Sequence, residues 1–364
     1  MKKIPWARPR FSADAKKYVV DALGSTWVSS GPYVDRLERG FLRRVGAKRG
    51  LAVSNGTTAL QLALLAAGVG PGDEVLVPGY TFVAPANMVI ACGAKPVFCD
   101  VDPETWGLDA RDAARRVTKK TKAVIAVHVY GNVCDMAAIV ALARREKLVL
   151  IEDAAESAFS RFKGRCAGTF GDVGCFSFQA TKTITTGEGG FVTASSQATL
   201  ERMRMIRDHG MRPGKRYWHD VVGFNFRLTN LQAAVGVAQL DSLDRAIADR
   251  KKLFALYRAR LDGQAGIRLQ AFRPEVEPVV WALGVLMDPA AFGMSRDALI
   301  ARLAESGVET RPGFYPFDVL PLYHGPRLPV SRGLGLNVLS LPFFPGLPAP
   351  DVGFICERLL RLRR

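Results

Sequence analysis

The sequence predicts an α/β fold in which a mainly parallel sheet is covered by helices on both faces. Short β-branched runs alternate with helix-length segments through the first two thirds of the chain. The runs are apolar throughout and do not alternate between apolar and polar residues. Continuous apolar strands separated by helices are typical of parallel sheets that are buried on both sides.

Six segments have the composition of strands, and three segments between them have the spacing of helices. The predicted strands are 51–54, 74–78, 96–100, 123–129, 148–153 and 173–178, and the predicted helices are 57–68, 84–93 and 136–147. Residues from about 230 to 262 contain one glycine and no proline, so they predict one long helix. We expect a large α/β domain, 1–235, followed by a region, 236–364, that consists of this linking helix and a small C-terminal α+β domain.

The composition narrows the classes of function. Fifty basic and 34 acidic residues give the 364-residue chain a net charge of +16, but the positive charges are dispersed. Without a basic block interleaved with aromatics we expect no nucleic-acid partner, and an anionic small substrate fits the charge at least as well. We expect no membrane span, since no apolar run approaches the roughly 20 residues required.

The cysteine and histidine patterns bear on disulfides, metal binding and cellular location. The six cysteines form no CxxC pair, and the four histidines form no ligand-like cluster. We therefore expect reduced cysteines, no metal site and a cytoplasmic location.

Several polar residues follow the predicted strands, where ligands of parallel sheets usually bind. The segment SNGTTAL, 54–60, places hydroxyls at the start of a helix, which is either a simple N-cap or a seat for a phosphate. Ser177 lies near the end of strand 173–178 and offers a second hydroxyl. No GxxxxGK[ST] motif occurs, so a Walker loop is excluded.

Asp153 and Lys182 complete the pattern. Asp153 closes the strand LVLIED, in which four apolar residues precede the acids, and it is a structural ion pair, a helix cap or the counter-ion of a protonated ring nitrogen. Lys182 lies among small and hydroxyl residues, with no acidic residue nearer than Glu188 in the chain. A phosphate seat, a ring-nitrogen counter-ion and a lysine nucleophile together indicate a site for pyridoxal 5'-phosphate (PLP).

The same motifs resemble those of the DegT/DnrJ/EryC1/StrS sugar aminotransferases, over nearly the whole chain. The matching stretches include AVSNGTTALQLAL, GPGDEVLVPGYTFVAPAN, IEDAAES, FSFQATKTITTGEGG, RYWHDVVGFNFRLTNLQAA and VETRPGFYP. The resemblance implies the fold-type I PLP architecture and a cofactor that cycles through pyridoxamine 5'-phosphate. It also implies a homodimer with shared active sites.

The resemblance implies a role for each matching residue. Lys182 would bind the cofactor as a Schiff base, Asp153 would face its ring nitrogen and Phe82 would lie on the ring face. The phosphate would be held by Gly56, Thr57, Thr58, Ser177 and, from the neighbouring subunit, Asn225. Glu156 stands where most of the family has Gln, which donates to the phenolic oxygen of the cofactor. The substrate would be contacted by His219, Arg227, Arg311 and Tyr315.

Within this family, the motifs resemble most the branch that aminates a GDP-linked sugar. The implied reaction moves the amino group of L-glutamate to the C4 keto group of GDP-4-keto-6-deoxy-D-mannose. Asp318 departs from the His expected in many members, which leaves open a dTDP- or UDP-linked keto sugar or a free keto sugar acid. Dehydration is disfavoured because the dehydratases of this family carry His in place of Lys182. A PLP-binding sensor or regulator is the alternative of another class.

Overall fold

The computed structural model describes residues 3–323 and 325–364, and its largest element is a seven-stranded sheet. The strands are β1 (Gly50–Val53), β2 (Glu74–Pro78), β3 (Lys95–Cys99), β4 (Thr121–Val127), β5 (Val149–Asp153), β6 (Arg161–Phe162), β7 (Arg165–Cys166), β8 (Val173–Ser177), β9 (Gly190–Ala194), β10 (Ile267–Leu269), β11 (Val276–Glu277), β12 (Leu283–Met287), β13 (Arg311–Pro312) and β14 (Val338–Leu341). The order in the large sheet is β1-β9-β8-β5-β4-β2-β3. Strands β3, β2, β4, β5 and β8 are parallel, and β9 is antiparallel to both of its neighbours.

Helices cover both faces of this sheet, as the continuous apolar strands predict. The helices are α1 (Ala13–Gly24), α2 (Pro32–Val45), α3 (Gly56–Ala66), α4 (Ala84–Ala91), α5 (Ala110–Arg115), α6 (Met136–Glu146), α7 (Gln197–Arg207), α8 (Asn230–Asp241), α9 (Leu243–Leu261), α10 (Pro289–Phe292), α11 (Arg296–Glu305), α12 (Pro329–Asn337) and α13 (Ala349–Arg361). Successive strand residues point to opposite faces. Ile125 and Val127 therefore enter one core, while Val124 and Ala126 enter the other.

A second sheet forms the smaller lobe. Its order is β10-β12-β14-β13, and every pairing is antiparallel. Tyr257 of α9, Leu299 of α11 and Ile355 of α13 are buried in one apolar cluster with this sheet. The sheet and its helices agree with the predicted α+β character of the C-terminal region.

The prediction of one long helix over 230–262 is wrong. The chain forms α8 and α9, which meet at Ser242. The Ser242 hydroxyl donates to the carbonyl oxygens of Ala238 at 3.1 Å and Gln239 at 3.3 Å. Such bonds compete with the helical backbone ladder, which explains why the helix breaks without Pro or Gly.

Two other differences concern strands and boundaries. Strand β9 is absent from the predicted strands, and β4 ends at Val127 instead of residue 129. The boundary between residues 235 and 236 stays a prediction, and residue 235 lies within α8. None of the described helices is long and apolar enough to cross a bilayer.

Candidate active site

The carboxyl ends of three strands meet at one edge of the large sheet. Asp153 ends β5 and Ser177 ends the adjacent parallel strand β8. Since β1 and β8 are both antiparallel to β9, β1 also ends at this edge, and α3 begins there at Gly56. A Cβ on Gly56 would lie only 2.8 Å from the Cβ of Ser177, so glycine is what allows this close approach.

The start of α3 is a helix cap and a candidate anion seat. Asn55 Oδ1 accepts from the Thr58 N–H at 2.8 Å, and the Thr58 hydroxyl accepts from the Asn55 N–H at 3.1 Å. This capping box uses the Thr58 side chain and leaves the N–H groups of Gly56 and Thr57 without an intrahelical acceptor. Those two N–H groups, the Thr57 hydroxyl and the Ser177 hydroxyl are a donor set that fits a phosphate.

Asp153 is buried at this edge and is 6% exposed. Its Oδ1 accepts from the Ala155 N–H at 3.0 Å. Burial raises the pKa of the Asp153 carboxyl, while the Ala155 N–H and the nearby Lys182 lower it. A carboxyl held this way gains most from a cationic partner, such as a protonated ring nitrogen.

Lys182 is the candidate nucleophile, and its side chain is 13% exposed. Its Nζ lies 3.8 Å from Glu156 Oε1 and 3.6 Å from the centroid of the Trp281 ring. Burial lowers the pKa of the Lys182 amine, against the opposite effect of Glu156 and Asp153. A lysine whose pKa is lowered by burial has a larger neutral, nucleophilic fraction.

Glu156 has two different partners. Its Oε2 accepts from the Tyr130 N–H at 2.8 Å, and its Oε1 is the oxygen nearest Lys182. Burial raises the pKa of Glu156 to about 7. A carboxyl that is substantially protonated near neutral pH can donate a hydrogen bond as Gln does, so Glu156 remains compatible with the role that Gln has in most of the family.

Phe82 joins this region through aromatic contacts and is 54% exposed. Its ring centroid lies 6.2 Å from that of Phe314, which stacks on Tyr130 at 5.4 Å with an angle of 7°. Tyr130 is the residue whose N–H binds Glu156. Phe82 therefore lies on the exposed side of an aromatic cluster that reaches the buried carboxyl group.

Three other predicted site residues lie outside the buried group of Asp153, Glu156 and Lys182 within a single chain. Asn225 is exposed, and Arg227 is ion-paired with Asp208. His219 Nδ1 donates to the carbonyl oxygen of His209 at 2.9 Å. In the described ranges 3–323 and 325–364, none of these three contacts Lys182 or Asp153.

The two residues of the smaller lobe that are predicted to contact the substrate, Arg311 and Tyr315, also interact with neighbouring side chains. Arg311 is ion-paired with Glu309 at 2.6 Å, and the Arg296 guanidinium lies 4.9 Å over the ring of Tyr315. Asp318, the departure noted in the sequence, is ion-paired with Arg332.

Trp281 is a site residue that sequence reasoning missed. It lies 99 positions after Lys182, and its indole Nε1 donates to the Thr181 carbonyl oxygen at 2.8 Å. Its ring faces the Lys182 amine. No sequence motif marks this tryptophan, because the contact depends on how the chain beyond α9 returns to the large sheet.

The donor set at α3, the buried Asp153 and the largely buried Lys182 amine fit the phosphate, the ring nitrogen and the aldehyde of PLP. Fold and site thus define a PLP-dependent enzyme of fold type I. Residues 9–360 match the DegT/DnrJ/EryC1/StrS aminotransferase family, and the chain belongs to that family. It is therefore a PLP-dependent aminotransferase, as the sequence motifs predict.

Individual relatives agree with this assignment. The chain is 40% identical over 362 residues to the GDP-perosamine synthase of Escherichia coli O157:H7, covering 99% of this chain and 98% of the relative. It is 37% identical to the pleiotropic regulatory protein of Geobacillus stearothermophilus, covering 92% and 90% of the two chains. The PLP form of Spr1654 from Streptococcus pneumoniae, at 26% identity, superposes with a TM-score of 0.94 over 99% of this chain and 98% of that one. A PMP form of Spr1654 superposes with the same TM-score over 97% of that chain.

Proposed function

We propose that the protein transfers the amino group of L-glutamate to the C4 keto group of GDP-4-keto-6-deoxy-D-mannose. The observation that carries the aminotransferase chemistry is the buried group formed by Lys182, Asp153 and Glu156 at one edge of the sheet. The choice of a GDP-linked sugar is supported by the full-length similarity to a GDP-perosamine synthase.

The residues at this edge would hold PLP by its three polar ends. Gly56, Thr57 and Ser177 would bind the phosphate, with Thr58 ordering the helix start through its cap. Asp153 would keep the ring nitrogen protonated, Glu156 would donate to the phenolic oxygen and Phe82 would cover the ring face. When bound, PLP supplies an aldehyde and an electron-accepting ring, and it stores the transferred nitrogen as pyridoxamine 5'-phosphate.

Lys182 would act first as the covalent anchor and then as a base. Once the donor amine has displaced it, the neutral Nζ would take a proton from the donor carbon that carries nitrogen. Burial favours the neutral amine before this transfer, and Glu156, Asp153 and the Trp281 ring face favour the ammonium afterwards. Burial and the nearby carboxylates thus act on the pKa of Lys182 in opposite directions.

We propose that the active enzyme is a homodimer. Four large apolar side chains of the regions around residues 27 and 217–222 are exposed in a single chain: Trp27 at 61%, Tyr217 at 72%, Trp218 at 47% and Val222 at 84%. Clustered exposed apolar groups mark interaction surfaces. Asn225 belongs to the same segment and would reach the phosphate of the partner's cofactor.

The anionic keto sugar would be contacted by residues that lie outside the buried group. His219 lies within the exposed region 217–222 and Arg227 follows it, while Arg311 and Tyr315 lie on the smaller lobe.

All six cysteines are free, which supports a reducing, cytoplasmic compartment for this reaction.

The test is the visible absorption of the PLP-loaded protein during each half of the reaction. L-Glutamate is expected to bleach the absorption, and GDP-4-keto-6-deoxy-D-mannose is expected to restore it. The same measurement is made with three other acceptors for comparison: a dTDP-linked 4-keto sugar, a UDP-linked 4-keto sugar and a free keto sugar acid. Faster restoration by one of these would assign that sugar class and overturn the GDP proposal.

A regulatory role is the second candidate, and the similarity to a pleiotropic regulatory protein favours it. A regulator that only senses PLP would bind the cofactor but show no change of absorption with L-glutamate. The same experiment therefore separates the two candidates.

A further inference from the structure

Arg250 of α9 is a buried cation without a carboxylate partner among the described residues. It is 3% exposed, and burial lowers its pKa to about 10, which leaves the guanidinium charged at neutral pH. Its Nη1 donates to the carbonyl oxygens of Val280 at 3.2 Å and Trp281 at 2.9 Å. Its Nε has no hydrogen-bond partner in the described chain. A buried charge left in this way is costly unless an anion approaches it.

Arg250 lines a cavity that Lys182 also lines. The cavity encloses about 170 Å³, several times the ~30 Å³ that one water molecule occupies. Its charged lining residues are Arg8, Arg10, Lys182, Arg245, Asp249 and Arg250. The single acid among them, Asp249, is 3.4 Å from Arg10 and is paired with it. The cavity is thus strongly positive and suits a small anion.

Trp281 contacts both buried cations. Its ring lies 3.6 Å from Lys182 Nζ, and its carbonyl oxygen lies 2.9 Å from Arg250 Nη1. The cavity that Lys182 and Arg250 both line therefore joins a reactive amine to a buried positive charge. An amino acid supplies matching groups, a nitrogen for the Lys182 end and a carboxylate for the Arg250 end.

We infer that Arg250 binds a carboxylate of the amino donor, an assignment that rests on the proposed function. The sequence suggested Arg227 or Arg311 for anion binding, but each of these already has a carboxylate partner, Asp208 or Glu309. Arg250 instead has two backbone carbonyl partners, the Phe343 ring at 5.9 Å and an unpaired Nε, with no carboxylate partner among the described residues. An Arg–carboxylate pair would offset the uncompensated buried charge.

The test is the binding of glutarate, which has both carboxylates of glutamate and no amine, to the PLP-loaded protein by calorimetry. Arg250→Gln keeps a donor for the Trp281 carbonyl and removes the charge, and Arg250→Lys keeps the charge. We expect Arg250→Gln to weaken glutarate binding about 10- to 100-fold and Arg250→Lys to weaken it less. Arg258→Gln, on the exposed side of α9, is the matched control and is expected to bind glutarate as the unmodified protein does.

Two results would overturn the inference. One is equal glutarate affinity for Arg250→Gln and Arg258→Gln. The other is a loss of GDP affinity in Arg250→Gln with unchanged glutarate affinity, which would assign the cavity to the sugar nucleotide. If neither Arg250 variant folds, the unmodified protein decides: it is expected to prefer glutarate to 1,5-pentanediol at least tenfold, and equal affinities contradict the inference.

The absorption experiment separates this inference from the proposed function. If L-glutamate bleaches the absorption of Arg250→Gln at the same concentration as in the unmodified protein, only the role of Arg250 is wrong. If L-glutamate never reacts but glutarate binding still depends on Arg250, the carboxylate site stands and the proposed function is wrong.

Discussion

The buried group at the ends of β5 and β8 and the exposed segment 208–227 form opposite kinds of site. Asp153 and Glu156 are each 6% exposed, and each has a fixed backbone donor. In the segment, Tyr217 is 72% and Val222 is 84% exposed, and the polar residues have only local partners. The buried group has its hydrogen-bond and ion-pair partners within one chain, whereas the segment presents apolar side chains to solvent.

This difference separates chemistry from assembly. Strand ends in the middle of a sheet are fixed by the core on both faces, so a single chain can hold reactive groups there to within a fraction of an ångström. A long surface segment lacks that support, and its apolar side chains become buried only against another surface. We therefore expect substitutions in the buried group to affect the reaction itself, and substitutions in the segment to act through the dimer.

Removing the nucleophile is expected to have the largest effect. Lys182→Ala should reduce transamination about 10³-fold or more, because both the covalent anchor and the base are lost. The measurement is the rate of 2-oxoglutarate formation with the absorption of the bound cofactor. Lys251→Ala, an exposed lysine of α9, is the control, and equal rates for the two variants would contradict the assignment of Lys182.

Neutralising Asp153, the proposed counter-ion of the ring nitrogen, is expected to have the second-largest effect. Asp153→Asn should reduce the turnover number about 10²- to 10³-fold with little change in cofactor retention, since the ring nitrogen loses its charge partner while the phosphate seat is intact. Pre-steady-state absorption with L-glutamate measures this step. Asp262→Asn on the surface is the control, and a turnover unchanged by Asp153→Asn would show that Asp153 is only a structural acid.

The exposed segment is tested through assembly. Val222→Asp places a charge on the proposed interface and should produce monomers with at least about tenfold lower activity. Sedimentation velocity and the transamination rate are measured on the same samples. Leu336→Asp, a 40% exposed leucine of α12, is the matched control. An active Val222→Asp monomer would show that one chain suffices.

Replacing the Trp281 ring should change the pKa of Lys182 while the lysine itself stays in place. Trp281→Leu loses a desolvated cation–π contact that favours the charged ammonium, so the pKa of Lys182 should fall further below its ordinary value. The pH dependence of Lys182 acylation in cofactor-free protein, read by mass spectrometry, measures this shift. Trp281→Tyr keeps an aromatic face and should retain most of the original pKa. A Trp281→Leu profile identical to that of the unmodified protein would remove Trp281 from the site.

The smallest effect is expected from Glu156, as a dependence of stability on pH. Its folded pKa of about 7 lies above the ordinary value of 4.5, so the folded state binds the extra proton between these two values. The stabilisation is therefore present at low pH and is lost as the pH rises through about 7. Glu156→Gln should lack this pH-dependent stabilisation. The melting temperature of the variant should therefore rise relative to that of the unmodified protein as the pH increases from 5 to 8. Exposed Glu305→Gln should show no such gain, and a gain equal to that of Glu156→Gln would rule out a buried origin.

The part of the fold that followed from sequence is the part with strong local patterns. The strand 74–78 matches β2 in both of its bounds, and 57–68 differs from α3 by one residue at its start. Predictions were wrong where a single side chain decided the outcome. Ser242 breaks the long helix through two hydroxyl hydrogen bonds that no periodicity reveals. The resemblance assigns Thr58 to the phosphate, and the structure adds that its hydroxyl bonds the Asn55 backbone in the cap of α3, a contact that the motif alone does not reveal.

The sequence by itself determined the family, the parallel sheet and the candidate chemistry of Lys182 and Asp153. It could do so because strand ends, helix starts and reactive residues occupy fixed positions in local motifs. Only the tertiary structure decided what surrounds that chemistry. It places the Trp281 ring against Lys182, raises the pKa of Glu156 by burial and leaves the Nε of Arg250 without a described partner in the shared cavity. These features depend on burial and on contacts between residues up to about a hundred positions apart, which local sequence patterns do not encode.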